Sequence, residues 1–106
     1  AYLGQVGKDI SLDEGYQAAR LCGLNILSQL GAALDGNFNQ VDRCLKLGGF
    51  VSCVEGFIQH PQVINGASDL MMEVFGDRGR HARFAVGATS LPLNTSVEVD
   101  DCFLIK

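Results

Sequence analysis

The feature that most constrains the fold is a long helical pattern between Ser11 and Gly36. Ser11 is followed three residues later by Glu14, the capping-box arrangement that satisfies two backbone N–H groups at a helix start. Beyond it, apolar or small residues recur at the three- and four-residue spacing of a helix with one buried face: Leu12, Tyr16, Ala19, Gly23, Ile26, Leu27, Leu30 and Leu34. The pattern predicts a helix over residues 11–34, which Gly36 and Asn37 end.

A second helix and several strands are predicted in the rest of the chain. Pro61, a residue favoured in the first turn of a helix, opens a helical pattern that stops at Gly76. The pair Gly48 and Gly49 predicts a β-bulge or a close backbone approach within a strand. Strand patterns occupy residues 2–7, 41–54, 83–90 and 96–105. This order of elements predicts an α+β fold in which two helices pack on one face of a single sheet.

Length and composition limit the classes of protein to which the chain can belong. Its 106 residues allow a single domain, residues 1–106, with one core. No stretch reaches the roughly 18 consecutive apolar residues of a membrane span, and no signal-peptide pattern is visible. We therefore expect a cytoplasmic protein with no membrane partner. Nucleic acid is not an expected partner either, because the net charge is −4 and RNA binding is driven by basic surfaces.

The cysteines and histidines show no metal-site spacing. None of the four cysteines belongs to a C-x-x-C pair, and we expect reduced, mostly buried thiols: Cys22, Cys44, Cys53 and Cys102. His60 is expected at the start of the second helix or in the loop before it, and Arg78 and Arg80 are expected to be solvated loop charges. Since a Gly-rich phosphate loop and a nucleophile elbow are also missing, no cofactor is expected.

The last quarter of the chain carries the candidate site. Arg83 opens one predicted strand, Glu98 lies inside the next, and the two strands are joined at Leu91-Pro92. An ionised group on a half-buried strand is costly unless something pairs with it. Two such groups of opposite sign, on strands expected to be neighbours, indicate either a binding site or a cross-strand ion pair.

These residues also carry a resemblance to a known family. The spacing of nine residues from Arg83 to Pro92 and six from Pro92 to Glu98 resembles the C-terminal signature of the Rid family, also called the YjgF family. Residues 57–76 are similar to that family's second helix, and residues 79–83 are similar to a less characterised branch. The resemblance implies a chorismate-mutase-like fold and a homotrimer with clefts between subunits. It also implies an N-terminally shortened member, since family members usually begin with a hairpin of two further strands.

The resemblance assigns roles to individual residues. Arg83 would bind the carboxylate of a small metabolite, for which its planar fork is better suited than a lysine. Glu98 would orient a water molecule or relay protons. Ala85 stands where the characterised deaminases have a cysteine, and His81 is a weaker candidate for the wall of the cleft beside Arg83. The alternative for Arg83 and Glu98 is a structural ion pair, at a subunit interface or between strands.

Two functions follow from these roles as expectations. The first is hydrolysis of reactive imine or enamine acids to 2-oxo acids and ammonia at an intersubunit cleft, without a metal or an organic cofactor. The second is a non-catalytic small-molecule-binding or regulatory oligomer of the same fold, which Ala85 and the shortened N-terminus favour. The name endoribonuclease has been attached to the family, but the acidic composition does not support RNA as a substrate.

Overall fold

Two long helices cover one face of a three-stranded sheet in the computed structural model, which describes residues 3–106. The elements are α1 (Leu12–Ala33), β1 (Val41–Ser52), α2 (His60–Phe75), β2 (Ala82–Ala88) and β3 (Val97–Ile105). The strand order is β2-β1-β3, with β1 parallel to β2 and antiparallel to β3. The predicted α+β fold, with two helices on one face of a sheet, is confirmed.

The predicted capping box starts α1. The Ser11 hydroxyl accepts a hydrogen bond from the backbone N–H of Glu14 at 3.1 Å, and the Glu14 carboxylate accepts one from the Ser11 N–H at 3.0 Å. At the other end, the N–H of Gly36 bonds to the carbonyl of Gly31 with Gly36 at φ 78°, a left-handed conformation that glycine adopts without strain. Local residues therefore specify both ends of this helix.

The two helices cross at a glycine. A Cβ atom at Gly66 of α2 would overlap the backbone carbonyl of Tyr16 in α1, so the helix backbones touch there. Farther along the helix pair the Tyr16 hydroxyl donates to Asp69 at 2.8 Å, and Arg20 pairs with Glu73 at 3.1 Å. Because both polar contacts are at the exposed edge of the crossing, the close backbone approach is what sets the distance between the helices.

The core lies between the helix pair and the sheet. Its members come from both helices, from β1 and from the segment before α1, and the fully buried side chains among them include Val6, Ala19, Leu47, Val51, Val63, Ile64 and Met71. The other face of the sheet has no covering layer among residues 3–106. Phe50 and Phe84 form an edge-to-face pair on it, with ring centroids 5.5 Å apart, and Lys46 lies 5.4 Å from the Phe84 ring.

The glycine pair in β1 allows a close approach from both faces of the sheet. A Cβ at Gly49 would overlap the Ile64 side chain of α2, and a Cβ at Gly48 would lie 2.6 Å from the Phe84 ring. The predicted alternative of a bulge at this pair is wrong. The register shifts of β1 fall nearer its start, between Val41 and Arg43 and between Cys44 and Lys46.

Two further predictions differ from the structure. Residues 3–7 do not form the predicted strand, because Gly4 and Gly7 have φ of 98° and 94°, which breaks an extended backbone. They make only isolated bridges, and Tyr2 lies outside the described residues. β2 ends at Ala88 rather than residue 90. Neither helix is long and apolar enough to cross a membrane, a finding that covers residues 3–106.

Candidate functional site

Arg83 lies near the start of β2, at the edge of the sheet and on the face that the helices cover. It is opposite Leu47 of β1, whose side chain is buried under α2. Its Nη1 donates to the Asn65 amide oxygen and, at 3.1 Å, to the Ser68 hydroxyl, both on α2. The guanidinium is therefore held by two neutral oxygen atoms and remains exposed to solvent.

Ser68 connects Arg83 to His81. The Ser68 Oγ lies 3.0 Å from Nε2 of His81, and Nδ1 of His81 contacts the carbonyl oxygen of Gly79. A carbonyl oxygen only accepts, so Nδ1 carries a proton, and Nε2 is in place to accept from the Ser68 hydroxyl, whose oxygen accepts from Arg83. His81 is thus linked to Arg83 through Ser68. It hydrogen-bonds to the Ser68 hydroxyl and orients the group that accepts from Arg83.

The charge of Arg83 is not neutralised within the described residues. The ion pairs recorded for residues 3–106 are Arg20 with Glu73 and Arg80 with Asp77, and neither involves Arg83. Nη1 has two hydrogens and both have acceptors, which leaves Nε–H and Nη2–H as the other edge of the guanidinium. That edge is a planar fork whose two donors match the two oxygens of a carboxylate. The arrangement can bind a small anion.

Ala85 follows Arg83 on the same face of β2, two residues along. It is opposite Gly49 and packs against the core in a partly buried position. A methyl group here offers neither a nucleophile nor a hydrogen-bonding side chain, so Ala85 acts on a ligand beside Arg83 only through its size and its backbone.

Glu98 lies on the far side of the sheet from Arg83. It is exposed on β3 and opposite Phe50 of β1, while its neighbours Val97 and Val99 turn toward the helices. Since side chains alternate along a strand, Glu98 points to the uncovered face. The prediction that Arg83 and Glu98 occupy neighbouring strands is wrong, because β1 lies between β2 and β3.

The separation of these two residues excludes an ion pair within one chain. Arg83 on β2 and Asp101 on β3 are both paired with Leu47 of β1, so the three residues lie side by side across the sheet. Glu98 is three residues before Asp101 on β3, two strands away from Arg83. Strand spacings of about 4.8 Å and a rise of about 3.3 Å per residue put their Cα atoms about 14 Å apart. Opposite faces add to this distance. The intrachain form of the ion-pair alternative is therefore wrong.

The sequence predicts that both arginines ahead of β2, Arg78 and Arg80, are solvated loop charges, and this prediction is wrong for Arg78. Nη1 of Arg78 donates to the carbonyl of Val41 at 2.8 Å, and its guanidinium lies 5.7 Å from the centre of the Phe75 ring. Arg78 thereby ties the end of α2 to the start of β1. Arg80 is exposed and pairs with Asp77 at 3.4 Å, in agreement with the prediction.

Asn65 and Ser68 anchor the Arg83 guanidinium, and this role was not predicted from the sequence. They stand three residues apart in α2, so they share a helix face, and each is the polar member of a mostly buried stretch. Polar residues at that spacing inside a buried stripe require hydrogen-bond partners, and this signal could have identified them as anchors. No group of three or more His, Cys, Asp and Glu residues within positions 3–106 is arranged to hold a metal ion.

A cleft of about 690 Å³ lies at the other end of β2 and was not predicted. Its lining comes from the loop before α1, the end of β1 and the end of β2: Gln5, Cys53, Val54, Glu55, Gly56, Phe57, Gly87, Ala88 and Thr89. The Gln5 amide donates to the carbonyls of Cys53 at 3.2 Å and Thr89 at 3.0 Å, which joins the three segments. Arg83, Ala85, His81 and Glu98 are not among the lining residues.

Known proteins are similar to this chain in sequence and fold. A family model described as "YjgF/chorismate_mutase-like, putative endoribonuclease" matches residues 1–103. The protein TCP17 of Trypanosoma cruzi is 48% identical over 98 residues, which are 92% of this chain and 61% of TCP17. The chain thus spans less than two thirds of the length of this relative.

Two solved structures resemble the chain closely. A protein of unknown function from Agrobacterium tumefaciens superposes with a TM-score of 0.97 at 48% identity, over 100% of this chain and 68% of that one. A "putative endoribonuclease" from Shewanella oneidensis superposes with a TM-score of 0.88 at 39% identity, over 92% of this chain and 64% of that one. At these identities the likeness extends to sequence as well as fold.

Proposed function

We propose, given that this chain belongs to the YjgF/chorismate mutase-like family, that it hydrolyses small imine or enamine acids to 2-oxo acids and ammonia. The observation that supports this function best is the free edge of the Arg83 guanidinium. It is anchored by Asn65 and Ser68, lacks a carboxylate partner within residues 3–106, and has the donor geometry to bind the carboxylate of such a substrate.

The chemistry requires only water and one group that moves protons. Water adds to the C=N carbon of a 2-imino acid, and the resulting carbinolamine loses ammonia to leave the 2-oxo acid. A carboxylate can take the proton from the attacking water and return it to the leaving nitrogen. In this proposal Glu98 is that carboxylate, and Arg83 fixes the substrate so that its C=N carbon meets the water. Ala85 leaves space beside the bound carboxylate.

The proposed site is formed by two copies of the chain. Arg83 and Glu98 face opposite sides of the sheet in one copy, so they can share a substrate only across an interface. We place that interface in a homotrimer, in which the uncovered sheet face with Phe50, Phe84 and Val86 is buried against other copies. The exposed fraction of Val86 is 43%, and an open apolar face of this kind marks an interaction surface.

The cellular setting and partners complete the proposal. Four free cysteines are compatible with a reducing compartment such as the cytoplasm, where we place the reaction. Nucleic acid is not proposed as a partner or substrate, although the family and the similar Shewanella oneidensis protein are each described as a "putative endoribonuclease". The net charge is −4, and Arg78 and Arg80 already have partners in the fold, which leaves little basic surface for a phosphate backbone.

Ammonia release from enzymatically generated imino acids tests this function. We expect acceleration over the spontaneous rate, and Arg83→Ala should lower kcat/KM by about 100-fold, because it removes two charge-assisted hydrogen bonds. Arg83→Lys is the matched control that keeps the charge but loses the fork, and it should show an intermediate loss. Glu98→Gln should lower kcat by about 100-fold with little change in KM.

Ala85 favours the second candidate, a binding or regulatory protein of the same fold. In that case a 2-oxo acid would bind in calorimetry, binding would be lost in Arg83→Ala, and no imino acid would be hydrolysed faster than in buffer. A folded sample that neither binds a 2-oxo acid nor releases ammonia would contradict both candidates.

A further inference from the structure

The cleft at the end of β2 contains a cysteine in contact with a histidine. The Cys53 Sγ lies 3.4 Å from Nε2 of His60, within hydrogen-bonding distance for sulfur. Cys53 directly follows β1 and lines the cleft, and His60 is the first residue of α2. The pair is separate from the Arg83 site, since Gly87 beneath it is four residues, about 13 Å, farther along β2.

The surrounding residues hold this pair in position. Gly87 makes room for it, because a Cβ there would lie 2.7 Å from Nε2 of His60 and 3.0 Å from Sγ of Cys53. The Phe57 ring packs edge-on against the imidazole, with centroids 5.1 Å apart. The backbone of Cys53 is fixed by its N–H bond to Ala88 at 3.1 Å. Each partner is thus constrained by a different segment of the chain.

The thiol needs a base in order to react. Burial raises the pKa of Cys53 above its ordinary value, so the sulfur keeps its proton at neutral pH. A neutral imidazole nitrogen in contact with the thiol can take that proton as the sulfur attacks, which is the logic of cysteine–histidine nucleophiles. The contact between Cys53 and His60 supplies this arrangement next to an open cavity.

We propose that Cys53 and His60 form a nucleophilic site that captures small α,β-unsaturated carbonyl compounds in this cleft. The thiol proton passes to Nε2 of His60 while the sulfur bonds to the β-carbon of the acceptor. The electrons of the C=C bond move to form an enolate, and the imidazolium returns the proton to the α-carbon. The S–H bond and the π bond of the C=C are broken, and S–C and C–H bonds are formed, without an oxidant or another reactant.

The cleft suits this class of ligand. Its volume of about 690 Å³ lies within the usual range for small-molecule sites. Val54 and Phe57 give it apolar surface for a carbon chain, and the Thr89 hydroxyl on its lining can donate to a carbonyl oxygen. A soft sulfur nucleophile reacts with the soft β-carbon of a conjugated carbonyl, which defines the reactive group that the ligand must carry.

The experiment measures the alkylation rate of each cysteine by N-ethylmaleimide, using the full chain at pH 7 and peptide mass spectrometry. N-acetylcysteine added to each sample is the reference thiol, and Cys44, which is 1% exposed, reports unfolding because it reacts only when the core opens. We expect Cys53 to react in the wild type. Relative to N-acetylcysteine, its rate should fall at least about tenfold in His60→Gln, since a positioned base contributes about that much or more.

Gly87→Ala is the second variant, and its added methyl should separate the pair and slow Cys53 to a similar degree while Cys44 stays unmodified. Two results would overturn the proposal. One is a Cys53 rate, relative to N-acetylcysteine, that is the same in the wild type and in both variants. The other is a wild-type sample in which N-acetylcysteine is alkylated to completion and Cys53 remains free. Neither result bears on ammonia release at the Arg83 site.

Discussion

Replacement of Gly66 by alanine tests the close crossing of α1 and α2. The added Cβ would overlap the carbonyl oxygen of Tyr16 and lie 2.9 Å from the backbone nitrogen of Arg20. These are backbone atoms, which cannot rotate away as a side chain can, so the helices must move apart. Overpacking of this kind costs about 1–3 kcal/mol, and a backbone overlap belongs at the upper end of that range.

A smaller effect opposes this cost. Alanine is favoured over glycine inside a helix by about 0.5–1 kcal/mol, so the net loss for Gly66→Ala should be about 2 kcal/mol. Gly31→Ala in α1 is the matched control. The atoms nearest to its Cβ would belong to the Phe38 ring, the closest at 3.3 Å, and a side chain can give way there, so the helix gain should make it neutral or slightly stabilising.

Urea unfolding followed by circular dichroism, at one protein concentration for all samples, measures both variants. A stability of about 5–15 kcal/mol leaves Gly66→Ala folded but clearly less stable than the wild type. If Gly66→Ala is as stable as Gly31→Ala, the helices do not cross at backbone contact and the packing described for α1 and α2 is wrong.

Three other changes probe the cap, a buried carboxylate and the arginine anchor. Ser11→Ala removes the capping hydroxyl of α1 and should lower the free energy of unfolding by about 1 kcal/mol in the same urea assay; no change would contradict the cap. Asp101 has a buried Oδ2 with no partner within the described chain, and burial raises its pKa above the ordinary 3.8. When the pKa of an acid is higher in the folded state than in the unfolded state, its contribution to stability is complete at pH values below the unfolded-state pKa. That contribution is lost as the pH rises through the folded-state pKa. Asp101→Asn should therefore flatten the fall in stability that begins as pH rises past the ordinary pKa of 3.8, and an unchanged pH profile would refute the assignment. Ser68→Ala should weaken 2-oxo acid binding about fivefold in calorimetry, because one of the two acceptors that hold the guanidinium in place is lost, and unchanged affinity would show that Arg83 does not need this anchor.

The helices could be predicted from the sequence because local residues specify them. Ser11, Glu14 and Gly36 fix the ends of α1 through contacts within a few residues, and Pro61 and Gly76 do the same for α2. Strand pairing is not local. Residues 83–90 and 96–105 are consecutive strand patterns, and consecutive strands are usually neighbours, but here β1 pairs with both and separates them.

The two sites differ in how far the sequence could predict them. Arg83, Ala85 and Glu98 were identified from spacing within one segment. That spacing does not show that Glu98 lies on the opposite face of the sheet from Arg83 and Ala85, because the faces depend on the register with β1. Asn65 and Ser68 were missed because a helical pattern shows which residues share a face but not which strand residue meets them. The cleft joins Gln5, Cys53 and Thr89 from three distant segments, so only the folded chain brings them together.

The most direct measurement of the central claim is ammonia release by a mixture of Arg83→Ala and Glu98→Gln chains, unfolded together and refolded at equal amounts. If each site takes Arg83 from one copy and Glu98 from another, each of the two residues is intact in half of the sites. Random assembly therefore gives about one quarter of the sites both intact residues. The mixture should then recover about 25% of wild-type activity, while each variant refolded alone stays near the background. A mixture no more active than the separate variants, beside an active wild type, would contradict a site shared between copies.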